Sequence, residues 1–255
     1  EASMLFNLFG KGKEKEIEEY AKILADAVIK DEMDGDLMEE LIDFSHDRDL
    51  SNKQLARAQA KACDIVFEAF YHDGIMTDED YEQYAHLIEM CYMLKDAEKY
   101  RYTTIAKRCN ALYKITEKGL LPTIRKEYAA VDYREGENLH FASAAVLMEP
   151  EGTPESGKGI RIERGTPFLT GTEGKAGKDW KEKEKGAFFI TTFRAGFRSK
   201  KEAVTLELAD LDFAEIQENV LCFFLKDGRV CAVKLDDREL AGAVLSNILN
   251  RDSEE

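Results

Sequence analysis

Several things are scarce in this chain of 255 residues. Prolines number 4 and glycines 17, too few for a collagenous or low-complexity chain. The 5 cysteines, Cys63, Cys91, Cys109, Cys222 and Cys231, form no CxxC pair. Their odd number and wide spacing argue against a disulfide framework, and they read as small buried hydrophobes in a reducing compartment. No apolar run approaches the ~18–20 residues needed to cross a bilayer. Basic residues are outnumbered, 36 against 51 acidic, for a net charge of −15. A chain with so little basic excess is a poor match for nucleic-acid phosphates.

What is present can build a core: 44% of residues are apolar, with 14 Phe and 10 Tyr. The apolar spacing changes near residue 135. Before it, spacings of three and four predominate; after it come short runs suited to strands. Residues 1–135 are therefore read as an all-helical interaction domain and 136–255 as a β domain with a capping helix. Ile17, Tyr20, Ala21, Leu24, Ala27 and Val28 share one face of a helix over 14–30. Gly35 is a candidate left-handed turn residue after it. Asp49 or Ser51 can cap a helix over 52–72, and Thr77 with Asp80 forms a shortened capping box for the next. A further helix covers 96–116. Five or six helices make a small bundle.

In the second half, strands are expected at 139–148, 159–164, 168–170, 187–192, 195–198, 203–208, 220–225 and 229–235. Residues 171–186 read as a glycine- and lysine-rich excursion. Asp227-Gly228 marks a hairpin between two apolar runs. A helix over 237–250 closes the chain. The fold class is α+β: an N-terminal helical bundle, then a partly open antiparallel β-barrel with a C-terminal helix.

The runs Gly159-Ile-Arg-Ile-Glu-Arg-Gly-Thr-Pro-Phe and Gly186-Ala-Phe-Phe-Ile-Thr-Thr-Phe-Arg-Ala-Gly-Phe resemble segments of bacterial pleckstrin-homology-like and GRAM-like domains. Val204-Thr-Leu-Glu-Leu-Ala-Asp-Leu continues the resemblance, and Gly136-Glu137-Asn138-Leu139 looks like the usual entry to such a domain. Thr191, Arg194 and Phe197 fit the pattern; Phe193, Ala195 and Gly196 depart from it. The resemblance spans about residues 118–235. It implies a helix-capped barrel used for lipid binding, peptide binding or oligomer assembly, without choosing among them. The helical half more loosely resembles TerB-like domains through Asp34-Gly35-Asp36-Leu37 and Asp73-Gly74-Ile75-Met76-Thr77-Asp78-Glu79.

With Gly35 at the sixth place of an EF-hand loop, Lys30 and Leu41 fall where the first and twelfth ligands belong. With Gly74 there, Ala69 takes the first place. Neither loop qualifies. His46, His72, His86 and His140 form no HExxH. Gly171-Thr-Glu-Gly-Lys-Ala-Gly-Lys lacks the phosphate-loop Ser or Thr, because Asp179 follows. No catalytic residue, metal ligand or cofactor is assigned.

The expected function is a noncatalytic interaction or assembly protein, cytoplasmic, with a protein partner or self-association. One alternative is peripheral membrane binding. Arg194, Arg198, Lys200 and Lys201 would meet anionic headgroups, and Trp180 would either anchor its loop or contact a partner or membrane. Leu5-Phe6-Asn7-Leu8-Phe9, followed by lysines, is a second membrane- or partner-docking candidate. The other alternative is a metal-assisted hydrolase in which three of His72, His86, Asp73, Asp78 and Glu82 converge.

Overall fold

The structure is a computed structural model. It describes residues 2–33, 35–128, 131–152, 156–157, 159–170, 180–218 and 220–251, and for 2–12 and 128 the backbone alone. The chain divides into two compact units, Glu1–Asn110 and Ala111–Glu255. The change of apolar spacing near 135 falls inside the second.

The first unit is helical: α1 (Ala2–Ile29), α2 (Gly35–Asp47), α3 (Asn52–Phe70), α4 (Asp78–Met90) and the greater part of α5 (Asp96–Thr116). The backbone over Leu5–Phe9 belongs to α1, while its side chains lie outside the described residues. The face read from the sequence is the buried one, from Ile17 and Tyr20 to Val28. It packs with Leu55, Ala58, Ala62 and Val66 of α3, and with Tyr84, Leu87 and Ile88 of α4. Ser51 caps α3, its N–H donating to Gln54 Oε1 at 2.9 Å. At α4 the Asp80 N–H donates to Thr77 Oγ1 at 3.2 Å.

The turn after α1 differs from the expectation. Gly35 opens α2, and Asp31 takes the left-handed conformation, φ 56°. The Glu32 and Asp31 N–H groups donate back to Ala27 O and Val28 O, so the α1 carbonyls are closed before the glycine is reached.

The second unit carries β1 (Leu139–Pro150), β2 (Ile160–Ile162), β3 (Trp180–Thr191), β4 (Arg194–Arg198), β5 (Ala203–Glu207), β6 (Leu211–Gln217), β7 (Val220–Leu225), β8 (Val230–Lys234) and α6 (Arg238–Arg251). The strands form one antiparallel sheet, ordered β2-β6-β7-β8-β1-β3-β4-β5, that is not closed into a barrel. The fold is thus mixed α+β with an open sheet and a C-terminal helix. One sheet face carries Phe188, Leu221, Phe223 and Val233, buried with Val244, Leu245 and Ile248 of α6. The Phe188 and Phe223 rings are 5.8 Å apart. The other face holds a smaller cluster of Met148, Phe213, Val220, Cys222 and Phe224, with Trp180 against it.

Three strand expectations need correction. The strand β6 has no expected counterpart, because almost every residue of it is buried and alternation disappears. Its polar residues are matched: the Gly157 N–H donates to Glu215 Oε2 at 3.0 Å, the Gly159 N–H to Oε1, and Trp180 Nε1 to Gln217 Oε1 at 3.2 Å. The strand β3 begins at Trp180, inside the expected excursion, because Trp180–Lys185 pairs with the far end of β1. Residues 171–179 of that excursion lie outside the described residues. Lastly, 168–170 is no strand. Thr166 O instead accepts from Ser246 Oγ (3.4 Å) and Asn250 Nδ2 (3.1 Å), so α6 side chains replace a ladder.

The β7–β8 hairpin turns where Asp227-Gly228 predicted. Gly228 adopts φ 85° and donates to Leu225 O at 2.9 Å, a conformation that only glycine takes at little cost.

Candidate functional site

The basic residues singled out from the sequence do not form one cluster. Arg194 and Arg198 stand at opposite ends of β4, four residues or about 13 Å apart. The Arg194 side chain is turned into the protein. Its Nε lies 2.8 Å from Glu137 Oε1 and its Nη2 3.0 Å from Oε2. Only Arg198, Lys200 and Lys201 sit together, exposed, at the β4–β5 turn. Trp180 is half-buried against the outer-face cluster, tied to Gln217.

The carboxylates and histidines proposed for hydrolysis stay apart. His72, His86 and Glu82 are exposed, and Asp78 accepts from Asn110 Nδ2 at 2.8 Å. Among the described residues, no three His, Cys, Asp or Glu side chains converge where they could hold a metal ion. All five cysteines are free thiols. Contact with the Cys91 sulfur (3.8 Å away) and burial push the Cys63 thiol up, and burial does the same to Cys222. Thiols held protonated are poor nucleophiles.

His140 is buried as well. Its Nδ1 lies 2.7 Å from Pro122 O and its Nε2 3.2 Å from Thr192 Oγ1. Burial lowers its pKa, partly countered by the Pro122 carbonyl, and the imidazole serves to tie the segment before β1 to the β3–β4 turn.

One feature that can take a ligand was not singled out from the sequence. It is a groove of about 570 Å³ in the second unit. One wall is the last turn of α5, with Ile115 and Thr116, followed by Glu117 and Gly119. Another is the segment Pro167-Phe168-Leu169, and α6 supplies Ala243, Ser246, Asn247, Asn250 and Arg251. Leu169 is 66% exposed at its rim. The segment is held against α6 by the Thr166 carbonyl and by the Gly165 N–H, which donates to Asn250 Oδ1 at 2.7 Å. Arg251 donates through Nη2 to Gly119 O and fixes the opposite wall.

Asn247 joins the walls: its Nδ2 donates to Ile115 O at 2.9 Å. That bond fixes which end of the amide is oxygen, and Oδ1 is left buried without a hydrogen-bond partner among the described residues. A buried acceptor in that state costs about 1–3 kcal/mol. Little in the sequence marks the groove. Asn247 is one polar residue in a helix read as a cap, and Phe168 and Leu169 look like core residues until their loop is placed.

Compared with known proteins, the chain matches no family model and no curated protein sequence. No helix among the described residues is long and apolar enough to cross a membrane.

Proposed function

We propose that the chain is a noncatalytic binding protein, its helical unit an interaction module and its β unit a ligand-binding module whose binding surface is the α6 groove. The observation that carries the reading is the groove itself. Its volume of about 570 Å³ lies within the range of small-molecule sites. Apolar side chains at Ile115, Phe168 and Leu169 line it beside polar ones at Asn247 and Asn250. An apolar lining with a few placed polar groups is the usual composition of a binding site. The resemblance to pleckstrin-homology-like domains accords with a binding role. Among the described residues of the helical unit, Ile29, Ile42, Tyr71, Tyr92, Tyr100 and Ile105 are large apolar or aromatic side chains exposed on its surface.

A fragment library screened by NMR against the full chain tests the groove. Hits should perturb the amides of residues 115–119 and 243–251, and Leu169→Ser should weaken them. A library without hits there, or hits indifferent to Leu169→Ser, overturns the reading.

A further inference from the structure

We propose that two copies of this chain pair edge to edge through β5, antiparallel, so that their sheets run on as one. The pairing does not rest on the α6 groove, with which β5 shares no residue.

Among the described residues, β5 has β4 on one side and no strand on the other. Which of its backbone groups face outward follows from the bonds at its two ends. The Ser199 N–H donates to Glu202 O and the Leu208 N–H to Phe193 O, so Glu202 and Leu208 face β4. Along an antiparallel ladder every second residue does so. Val204 and Leu206 therefore bond to β4, while Ala203, Thr205 and Glu207 turn their N–H and C=O groups outward. Among the described residues, no hydrogen bond reaches the backbone of Ala203 or Thr205 from that side, and both residues are exposed. Such a row is a template for another strand.

Charge selects the occupant. The turn at one end of β5 carries Lys200 and Lys201, both exposed. The other end carries Glu207, its side chain 36% exposed beside Arg134, and the exposed Asp210. Glu202, at the basic end, is already paired with Lys183 at 3.1 Å. A strand that fits presents acid to the lysines and base to the glutamate. The β5 strand of a second copy does so when it runs antiparallel. With Val204 on the two-fold axis, Val204 meets its own copy, Ala203 meets Thr205, and Lys201 of each chain comes beside Glu207 of the other. Parallel pairing would set like charges side by side.

Sedimentation equilibrium on the full chain tests the pairing. At low salt and on the order of 100 µM the chain should be dimeric, and its dissociation constant should rise as salt is added. Thr205→Pro removes an outward N–H and spares the bonds to β4. It should keep thermal unfolding unchanged and weaken the dimer at least about tenfold. Lys201→Glu alone and Glu207→Lys alone each bring like charges together twice, and each should weaken the dimer by about tenfold. Mixed in equal amounts, these two variants restore both opposite-charge pairs and should recover the dimer. A monomer on the order of 100 µM, a dimer indifferent to Thr205→Pro, charge variants that dimerise alone, or a mixture that does not recover overturns the proposal. Masses above two copies overturn it too, because head-to-tail pairing of β5 with β2 would grow without closing. Should Thr205→Pro unfold the chain, the mixture decides.

Discussion

Arg194 and Glu137 form a two-point ion pair in which the Glu137 side chain has no exposure and the Arg194 side chain keeps 13%. Burial alone would raise the Glu137 carboxyl. The Arg194 guanidinium, the Arg134 N–H (2.8 Å) and the Thr191 hydroxyl (2.5 Å) outweigh it and hold the pKa at about 2. The pair ties the segment entering β1 to the β3–β4 turn, and Arg134 extends the tie to Glu207 at the end of β5.

Because the folded carboxyl lies below its ordinary value of 4.5, its contribution is complete above pH 4.5 and fades as the pH falls toward 2. That contribution is on the order of 3 kcal/mol. Arg194→Ala leaves a buried charge behind and should cost about 3–5 kcal/mol in urea unfolding at pH 7. Glu137→Gln should flatten the fall of stability between pH 4.5 and 2. Equal acid sensitivity in both proteins would contradict this account.

His140 titrates in the other direction. Its pKa is lowered in the fold, so between that value and the ordinary 6.5 the unfolded chain binds a proton that the native chain refuses. Stability should therefore decline as the pH falls below 6.5. Urea midpoints at pH 7.5 and 5.5 should differ more for the native sequence than for His140→Gln.

Two glycines of the second unit differ in what a methyl group would strike. At Gly242 of α6 it would meet Ile216 Cδ1 at 2.7 Å, Phe168 Cε2 at 2.9 Å and Ile162 Cδ1 at 3.1 Å, all ends of side chains that can shift. At Gly159 it would run into the Ile216 carbonyl oxygen, which is backbone. Gly242→Ala should cost about 1–3 kcal/mol and, by moving Phe168, alter binding in the groove. Gly159→Ala should cost more, because β2 must leave β6. The reverse order in thermal unfolding would refute the packing argument.

Trp180 is the chain's single tryptophan, so its fluorescence reports the second unit alone. Trp180→Phe keeps most of the apolar contact and loses the donor to Gln217 Oε1. The loss should be about 1–2 kcal/mol. A double-mutant cycle with Gln217→Leu should return a coupling of about 0.5–1.5 kcal/mol; a value near zero would remove the hydrogen bond as a stabilising contact.

Much of this molecule can be read from its residues in order. The helix faces follow from spacing: Ile17 to Val28 are apolar at intervals of three and four, and burial of that stripe is the only way to remove it from water. The caps at Ser51 and Thr77, and the Asp227-Gly228 turn, follow from local hydrogen bonding and from φ alone. The α+β class with its C-terminal helix follows from the change of period. Tertiary structure decided the rest. The strand β6 is hidden in the sequence because Glu215 and Gln217 are buried polar residues, and their partners lie 56 or more residues away at Gly159 and 37 away at Trp180. Arg194 looks like a surface charge until Glu137, 57 residues distant, is brought against it. The groove needs three separate segments, 115–119, 167–169 and 243–251, brought together where the Asn247 amide donates to Ile115 O. Local chemistry acts within a turn or a period and can be read along the chain. Pairing of charges and enclosure of space depend on which distant residues meet, and that is settled only when the chain folds.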